Sequence, residues 1–405
     1  MVGAAADISG SLRCGEGAIV LRQPPPQVMR WLSNVRLPGR EGRWRLGLDG
    51  EERIVQLQPL PAGAVAAGEN WGGDWLSPAA VDLQINGGLG LAFPELQPHD
   101  LPTLLALLER LWQDGVEAIC PTLVTCATAD LRRALTVLAQ ARAQHRPGRC
   151  RLLGAHLEGP FLAPSRRGAH PPQHLAAPSL TALADRIAGA EDAIALVTLA
   201  PELEGAAPVI DALVARGIVV SLGHSGATEE QAEAAYNAGV RMVTHAFNAM
   251  NGLQHRAPGP LAAAALRGDI ALGLIADGVH VAPSMAVLLQ RLAPGQVVLV
   301  SDALAPYGLP DGLHRWDERP LIVADGSCRL EDGTLAGVTL PLLEAVCRLA
   351  RWSGDAEGAI RAATVRPRRV LGDHRSVVQL LQGMPLVETL RWHGPAAALC
   401  GQRAA

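Results

Sequence analysis

Nowhere in this 405-residue chain do basic residues gather into a stripe able to neutralise a run of phosphates. The formal net charge is -4, with both signs mixed along the whole length, so a nucleic-acid partner is not expected. The seven cysteines (14, 120, 126, 150, 328, 347 and 400) show no CxxC spacing. Their odd number in a long chain points to free thiols in a reducing compartment, and the expected location is the cytoplasm. The first thirty residues lack a continuous apolar core, because Asp7, Arg13, Glu16 and Arg22 interrupt it, and no secretory signal is read there. Apolar runs such as 194–200 and 297–300 are too short to cross a bilayer and are bounded by turn residues, so they read as buried strands and no membrane partner is expected. No internal repeat of fixed period is present.

What is there is alternation. From about residue 80 onward, short β-rich apolar segments at 80–85, 116–121, 151–156, 194–199, 217–222, 241–244, 270–275 and 297–301 alternate with Ala/Leu-rich helical stretches. Among the latter are 102–114, 129–142 and 229–238, the last opened by Thr228 as N-cap. Parallel strands each followed by a crossover helix produce this pattern. Eight such units in about 220 residues fit a (β/α)8 barrel. An open doubly wound sheet would alternate in the same way, but it concentrates its ligand at one switch point. Here several different strands end in Gly, His, Asp or Glu, as barrel enzymes require.

The remainder divides around that barrel. Residues 1–78 carry short alternating pieces at 44–50 and 52–57 and read as the N-terminal part of a small β-sandwich-like domain; 79–370 form the barrel; 371–405 return, through a β-like tail at 386–392, to the small domain. Helices are expected at 341–352 and 356–363. The Pro/Gly/Ala-rich stretches 14–30 and 61–78 are expected to be poorly ordered.

Chemistry-bearing residues cluster at strand ends. In GAHLEGPFL, Glu158 follows a strand among glycines and a proline, where a carboxylate can bind a cation or act as a base, or merely cap a loop. VVSLGHSGAT and RMVTHAFNAM place His224 and His245 just past successive strands. Either alone reads as a satisfied loop histidine; two imidazoles and one carboxylate at one mouth make an open catalytic metal site. GLIADGVH adds Asp277 and His280, and VLVSDALAP adds Asp302, whose alternative is a turn cap before Pro306. A cation so held keeps net positive charge and lowers the pKa of a bound water.

Several segments resemble those of the N-acetylglucosamine-6-phosphate deacetylases, in the amidohydrolase superfamily: VDLQINGG, CPTLVT, GAHLEGPFLAPSRRGAH, VSLGHSGAT, THAFNAM, HRAPGP, IADGVH, SDALAPYGLPDG and DGTLAG, in family order across residues 81–338. The resemblance implies metal-dependent hydrolysis of the acetamide of N-acetylglucosamine 6-phosphate to glucosamine 6-phosphate and acetate. Matched residue by residue, it puts the metal ligands at Glu158, His224 and His245, the general acid/base at Asp302, and a carbonyl-polarising role at His280. Sugar contacts fall at Ala169 and His170, and phosphate contacts at Asn248, Ala249 and Arg256. The family's arginine reaches the neighbouring subunit, which implies a homodimer. One divalent metal per subunit is expected, zinc first, with iron, manganese or cobalt also suited to such ligands.

Three departures stand out. Where many amidohydrolase barrels carry His-x-His for a second metal, this chain has Gln84 and Asn86, so that position reads as vestigial. Val338 replaces the usual Ser after DGTLAG, which is expected to alter substrate fit, and the C-terminal family segment is barely recognisable in LQGMPLVETL. Asp325, Glu331 and Asp332 read as a solvated, hairpin-like connection rather than catalytic groups. The competing readings are an amidohydrolase for another N-acylated sugar phosphate or a cyclic amide, and a catalytically silent sugar-phosphate-binding barrel.

Overall fold

The computed structural model describes residues 27–404 apart from 65, 66 and 318. Eight parallel strands form a nearly closed barrel: β1 (Ala80–Ile85), β2 (Val116–Val124), β3 (Ala155–Glu158, with Arg151–Leu152 leading in), β4 (Ile194–Leu199), β5 (Val219–Leu222), β6 (Met242–Val243), β7 (Ala271–Leu274) and β8 (Val297–Leu299). Closure between β8 and β1 is made by irregular backbone bonds, Asp302 N–H to the Gln84 carbonyl (2.9 Å) and Asn86 N–H to the Ala303 carbonyl (2.7 Å). Every residue of β1 and β8 is buried, as a parallel strand covered on both faces requires.

The crossover helices bury one stripe each. In Leu101–Gln113 the inward residues are Leu104, Leu107, Leu108 and Leu111, the i, i+3, i+4, i+7 spacing of an amphipathic helix. Helix Glu229–Asn237 begins with the expected Thr228, whose hydroxyl accepts from Gln231 N–H while the Gln231 side chain accepts from Thr228 N–H, a reciprocal cap that satisfies two donors.

Parallel register sets the height of the mouth. Leu222 lies beside Val243, so His224 and His245, each two residues further on, leave adjacent strands at the same level. Glu158 lies beside Thr198 and Val124 at the end of β3.

Strands Arg30–Val35, Arg43–Leu48, Ile54–Leu60 and Glu69–Asn70 form one sheet, and Trp75–Pro78 pairs antiparallel with Thr389–His393, which pairs with Cys400–Arg403. Leu32, Leu46, Ile54, Trp71 and Leu76 share a core there with Val377, Leu381 and Leu386 from the chain's other end. The expectation of poor order over 61–78 fails over its described part: Trp71 is buried and all four residues of Trp75–Pro78 are buried. The two tryptophans anchor a stretch whose Pro and Gly content pointed the other way. Of 14–30, residues 14–26 lie outside the described part.

The connection after β8 is larger than a hairpin. Four antiparallel strands, β9 (Gly312–Trp316), β10 (Arg319–Ala324), β11 (Ser327–Leu330) and β12 (Leu335–Val338), form a sheet. It packs on the barrel mouth through Trp316, Leu321, Val323 and Cys328 against Val124, Ala169 and Leu304. The described cysteines 120, 126, 150, 328, 347 and 400 are all free, Cys14 lying outside the described residues. No helix of the described residues is long and apolar enough to cross a membrane.

Candidate active site

Three strand ends deliver side chains in strained backbone: His224 (φ 49°), His245 (φ 30°) and Asp302 (φ 52°) are left-handed although none is glycine. Such conformations cost free energy and persist only where the surroundings impose them. At Asp302 the imposition is visible: its N–H donates to the Gln84 carbonyl (2.9 Å) and its carbonyl accepts from Val338 N–H on β12 (3.2 Å).

Glu158 Oε1, His224 Nε2 and His245 Nε2 form a triangle with sides of 2.9, 3.1 and 3.1 Å. Nitrogen or oxygen ligands about 2.0 to 2.1 Å from a tetrahedral divalent ion lie about 3.3 Å apart, so the donor set fits such a cation. His224 Nδ1 donates to the Arg166 carbonyl (2.9 Å), which leaves Nε2 with its lone pair toward the shared point. Burial acts to raise the Glu158 carboxyl, and the close approach of the His224 and His245 imidazoles and the His170 ring holds the group well below its ordinary range.

His170 joins this cluster. The ligand atoms of Glu158, His170 and His224 all lie within 4.8 Å of one another, but His170 Nε2 stands 3.9 Å from Glu158 Oε1, outside the tighter triangle. Its Nδ1 is engaged by the Thr125 hydroxyl at 2.9 Å, and burial together with His224 pushes it down to about 3, so it stays neutral.

Gln84 and Asn86 have a positive task. Gln84 Nε2 reaches both Glu158 carboxylate oxygens (3.3 Å each) and Asp302 Oδ1 (3.1 Å), and Asn86 Nδ2 donates to Asp302 Oδ1 (2.7 Å). Two buried carboxylates are thus bridged by neutral amide donors. Burial, then the Glu158 charge, raises the Asp302 carboxyl above its ordinary value, the direction that equips a carboxyl group to carry a proton near neutrality. Across the mouth, His280 Nδ1 bonds Asp277 Oδ2 (2.7 Å), and Asp277 Oδ1 accepts the N–H groups of Val279 and His280. Asp277 therefore fixes the imidazole orientation; burial acts to raise its carboxyl, and the His280 bond and charge together with the two backbone N–H bonds outweigh it, holding it below its ordinary value.

Glu158, His170, His224, His245, His280 and Asp302 line a cavity of about 360 Å³ that also includes Ala169, Asn248 and Ala249. Arg256 is exposed on a loop and does not line the cavity of its own chain. The guanidinium on that wall belongs to Arg166, whose Nη2 donates to Asn251 Oδ1 at 2.5 Å. Val338 does not face the cavity: its side chain is buried beside Ile275, Val300 and Ala345, and only its backbone serves the site.

Three contributors escaped sequence reasoning. Trp316 on β9 lines the cavity from the inserted sheet; the turn dipeptides Asp325-Gly326 and Asp332-Gly333 among alternating apolar residues were its signal. Arg166 sits in a segment read for its histidine. His156, two residues before Glu158, anchors a buried network under the site through Thr198 Oγ1 (2.7 Å), which meets Thr244 Oγ1 (2.7 Å) and through it Ser221 Oγ (2.6 Å). Burial pushes His156 down to about 4, keeping it neutral.

An eight-stranded parallel barrel carrying Glu, His, His and Asp at its strand ends, all lining one cavity, defines an amidohydrolase. No family model matches the chain. It is 38% identical over 377 residues to the Mus musculus N-acetylglucosamine-6-phosphate deacetylase, covering 89% of this chain and 88% of that protein. It is 34% identical to the N-acetylgalactosamine-6-phosphate deacetylase of Escherichia coli O157:H7, covering 79% and 83%. Among solved structures it resembles the Mycobacterium smegmatis N-acetyl-D-glucosamine-6-phosphate deacetylase in complex with N-acetyl-D-glucosamine 6-phosphate, with TM-score 0.79, 28% identity, and 93% and 98% of the two chains covered. The chain belongs to the N-acetylglucosamine-6-phosphate deacetylase family.

Proposed function

We propose that this chain hydrolyses the acetamide of N-acetyl-D-glucosamine 6-phosphate, releasing acetate and D-glucosamine 6-phosphate. The observation that carries the reading is the Glu158–His224–His245 triangle joined through Gln84 to Asp302. Glu158, His224 and His245 are the proposed ligands of one divalent metal, zinc by the chemistry of the donor set, which when bound supplies Lewis acidity and a nucleophilic water near neutral pH.

The protein's own groups do the rest. Asp302 has its Oδ1 occupied by two amide donors, leaving Oδ2 to take the proton of the attacking water and then deliver it to the departing amine nitrogen. His280, oriented by Asp277, donates toward the carbonyl oxygen as charge develops there. Ala169 and His170 contact the sugar. Asn248 and Ala249 receive the phosphate, with Arg166 from the same wall and Arg256 from a second subunit of a homodimer.

Acetate release tests the reading, comparing N-acetylglucosamine 6-phosphate with its galactosamine epimer and with the unphosphorylated sugar in metal-supplemented protein. N-acetylglucosamine 6-phosphate is expected to be turned over with the highest kcat/KM. Preference for the epimer would reassign the sugar, and background release from all of them would end the deacetylase reading.

A further inference from the structure

The opposite end of the barrel holds a second cleft, of about 530 Å³, where the strands begin rather than end. Arg241 stands just before β6, Asp269 just before β7 and Gln296 just before β8; helix Arg366–Val370 and His374 complete the wall. The chain contains no lysine, so its permanent side-chain cations are guanidinium forks, the group best shaped for bidentate contact with a phosphate.

The arginines on one short helix differ in what they have been given. Arg368 is fully committed, its Nη2 to the Ala79 carbonyl and the Glu117 carboxylate and its Nη1 to the Thr364 carbonyl. Arg366, only 7% exposed, makes a single hydrogen bond, Nη1 to the Val297 carbonyl at 3.0 Å, and its Nε has no partner. Burial, then the charge of Arg361, pushes it down to about 10.

Arg241 and Arg369, both exposed, stand on the other walls. Arg241 spends one nitrogen on the carbonyls of Tyr236 and Val240. Among the described residues no carboxylate pairs with Arg241, Arg366 or Arg369. The one acid on the wall, Asp269, is held by Arg267 Nε at 3.1 Å and feels the more distant Arg241 charge less strongly. A buried guanidinium without an ion-pair partner is costly; Arg366 is such a group, and Arg241 and Arg369 stand exposed on the walls of the same cleft.

We propose that this cleft, walled by Arg241, Arg366, Arg369 and His374, is an anion site that takes a phosphate group, as free phosphate or as a phosphate monoester. It is separate from the catalytic mouth, since β6, β7 and β8 run from one to the other. Any occupant bears on the strands that deliver His245 and Asp302, and also on the fold's stability, because it binds the folded chain alone.

The test is calorimetric titration and thermal denaturation of the full-length protein with inorganic phosphate, with glucosamine 6-phosphate, and with potassium chloride at matched ionic strength. The wild type is compared with the surface double variant Arg369→Ala/His374→Ala and with Arg366→Gln. The double variant is expected to weaken phosphate or ester binding at least tenfold and to abolish the corresponding rise in Tm, while deacetylation measured without phosphate stays unchanged. Tighter binding of the ester than of phosphate, lost in the double variant, assigns the site to a sugar phosphate; comparable binding of the two, also lost, assigns it to the phosphate group alone. Equal affinity in wild type and double variant, or an equal Tm rise with chloride, overturns the proposal. Arg366→Gln removes the buried fork, and the double variant keeps the test valid if that protein does not fold.

Discussion

Replacing Asp302 by asparagine separates chemistry from architecture. The carboxylate accepts two amide hydrogen bonds at Oδ1, from Asn86 at 2.7 Å and Gln84 at 3.1 Å, and an asparagine Oδ1 accepts both. What disappears is the second oxygen's ability to take and return a proton. General acid–base assistance is worth about 10²- to 10⁴-fold, and Asp302 is assigned both the water proton and the amine proton. The expected loss in kcat is therefore at least about 10²-fold, with KM within a fewfold. Stability moves the other way: Asp302 is raised by burial and by the Glu158 charge, so the neutral amide relieves a repulsion and Tm should hold or rise. Steady-state acetate release, metal content and thermal denaturation on one preparation give all three quantities. A kcat within tenfold of wild type in metal-loaded protein would refute the assignment. A large fall in Tm would show instead that the carboxylate is structural.

Arg256→Ala is expected to raise KM for the phosphorylated substrate far more than it lowers kcat; an unchanged KM in steady-state kinetics removes the residue from the phosphate site. Val338→Ser should leave KM within about twofold, because the side chain faces the core. It should cost about 1 to 3 kcal/mol in urea unfolding through lost apolar burial and a buried hydroxyl. Asp82 is pushed up to about 7, chiefly by burial. Between about pH 4 and 7 the folded chain keeps a proton that the unfolded chain has released, so this group's contribution is fully present at low pH and is lost as pH rises, by up to about 1.4 kcal/mol per unit. Asp82→Asn should remove that slope from the pH–stability curve, and parallel curves for the two proteins would contradict it.

Strand and helix identity was legible because it rests on local pattern. The segments 80–85 and 194–199 coincide with β1 and β4 to the residue, and Thr228 caps its helix as its side-chain chemistry requires. Where the expectation ran long, at 241–244 against Met242–Val243, Arg241 lies before the strand and Thr244, still buried, leads into the left-handed turn at His245, a departure that apolar periodicity does not show. The inserted sheet β9–β12 was reduced to a polar connection because its outer faces are exposed, Leu313 and Ile322 among them, and its inner face has meaning only against the barrel. Trp316 could not be placed at the cavity without that contact.

By itself, the sequence determined which residues are able to do chemistry and that they stand at the ends of parallel strands, because side-chain type and strand periodicity are properties of short stretches. Only the tertiary structure decided who meets whom. It joined Gln84 to both Glu158 and Asp302, kept Arg256 off its own chain's cavity wall, turned Val338 into the core, and gathered Arg241, Arg366 and Arg369 around one cleft at the far end of the barrel. Those outcomes depend on distances between atoms far apart in the chain, which register and barrel closure fix and no local pattern encodes.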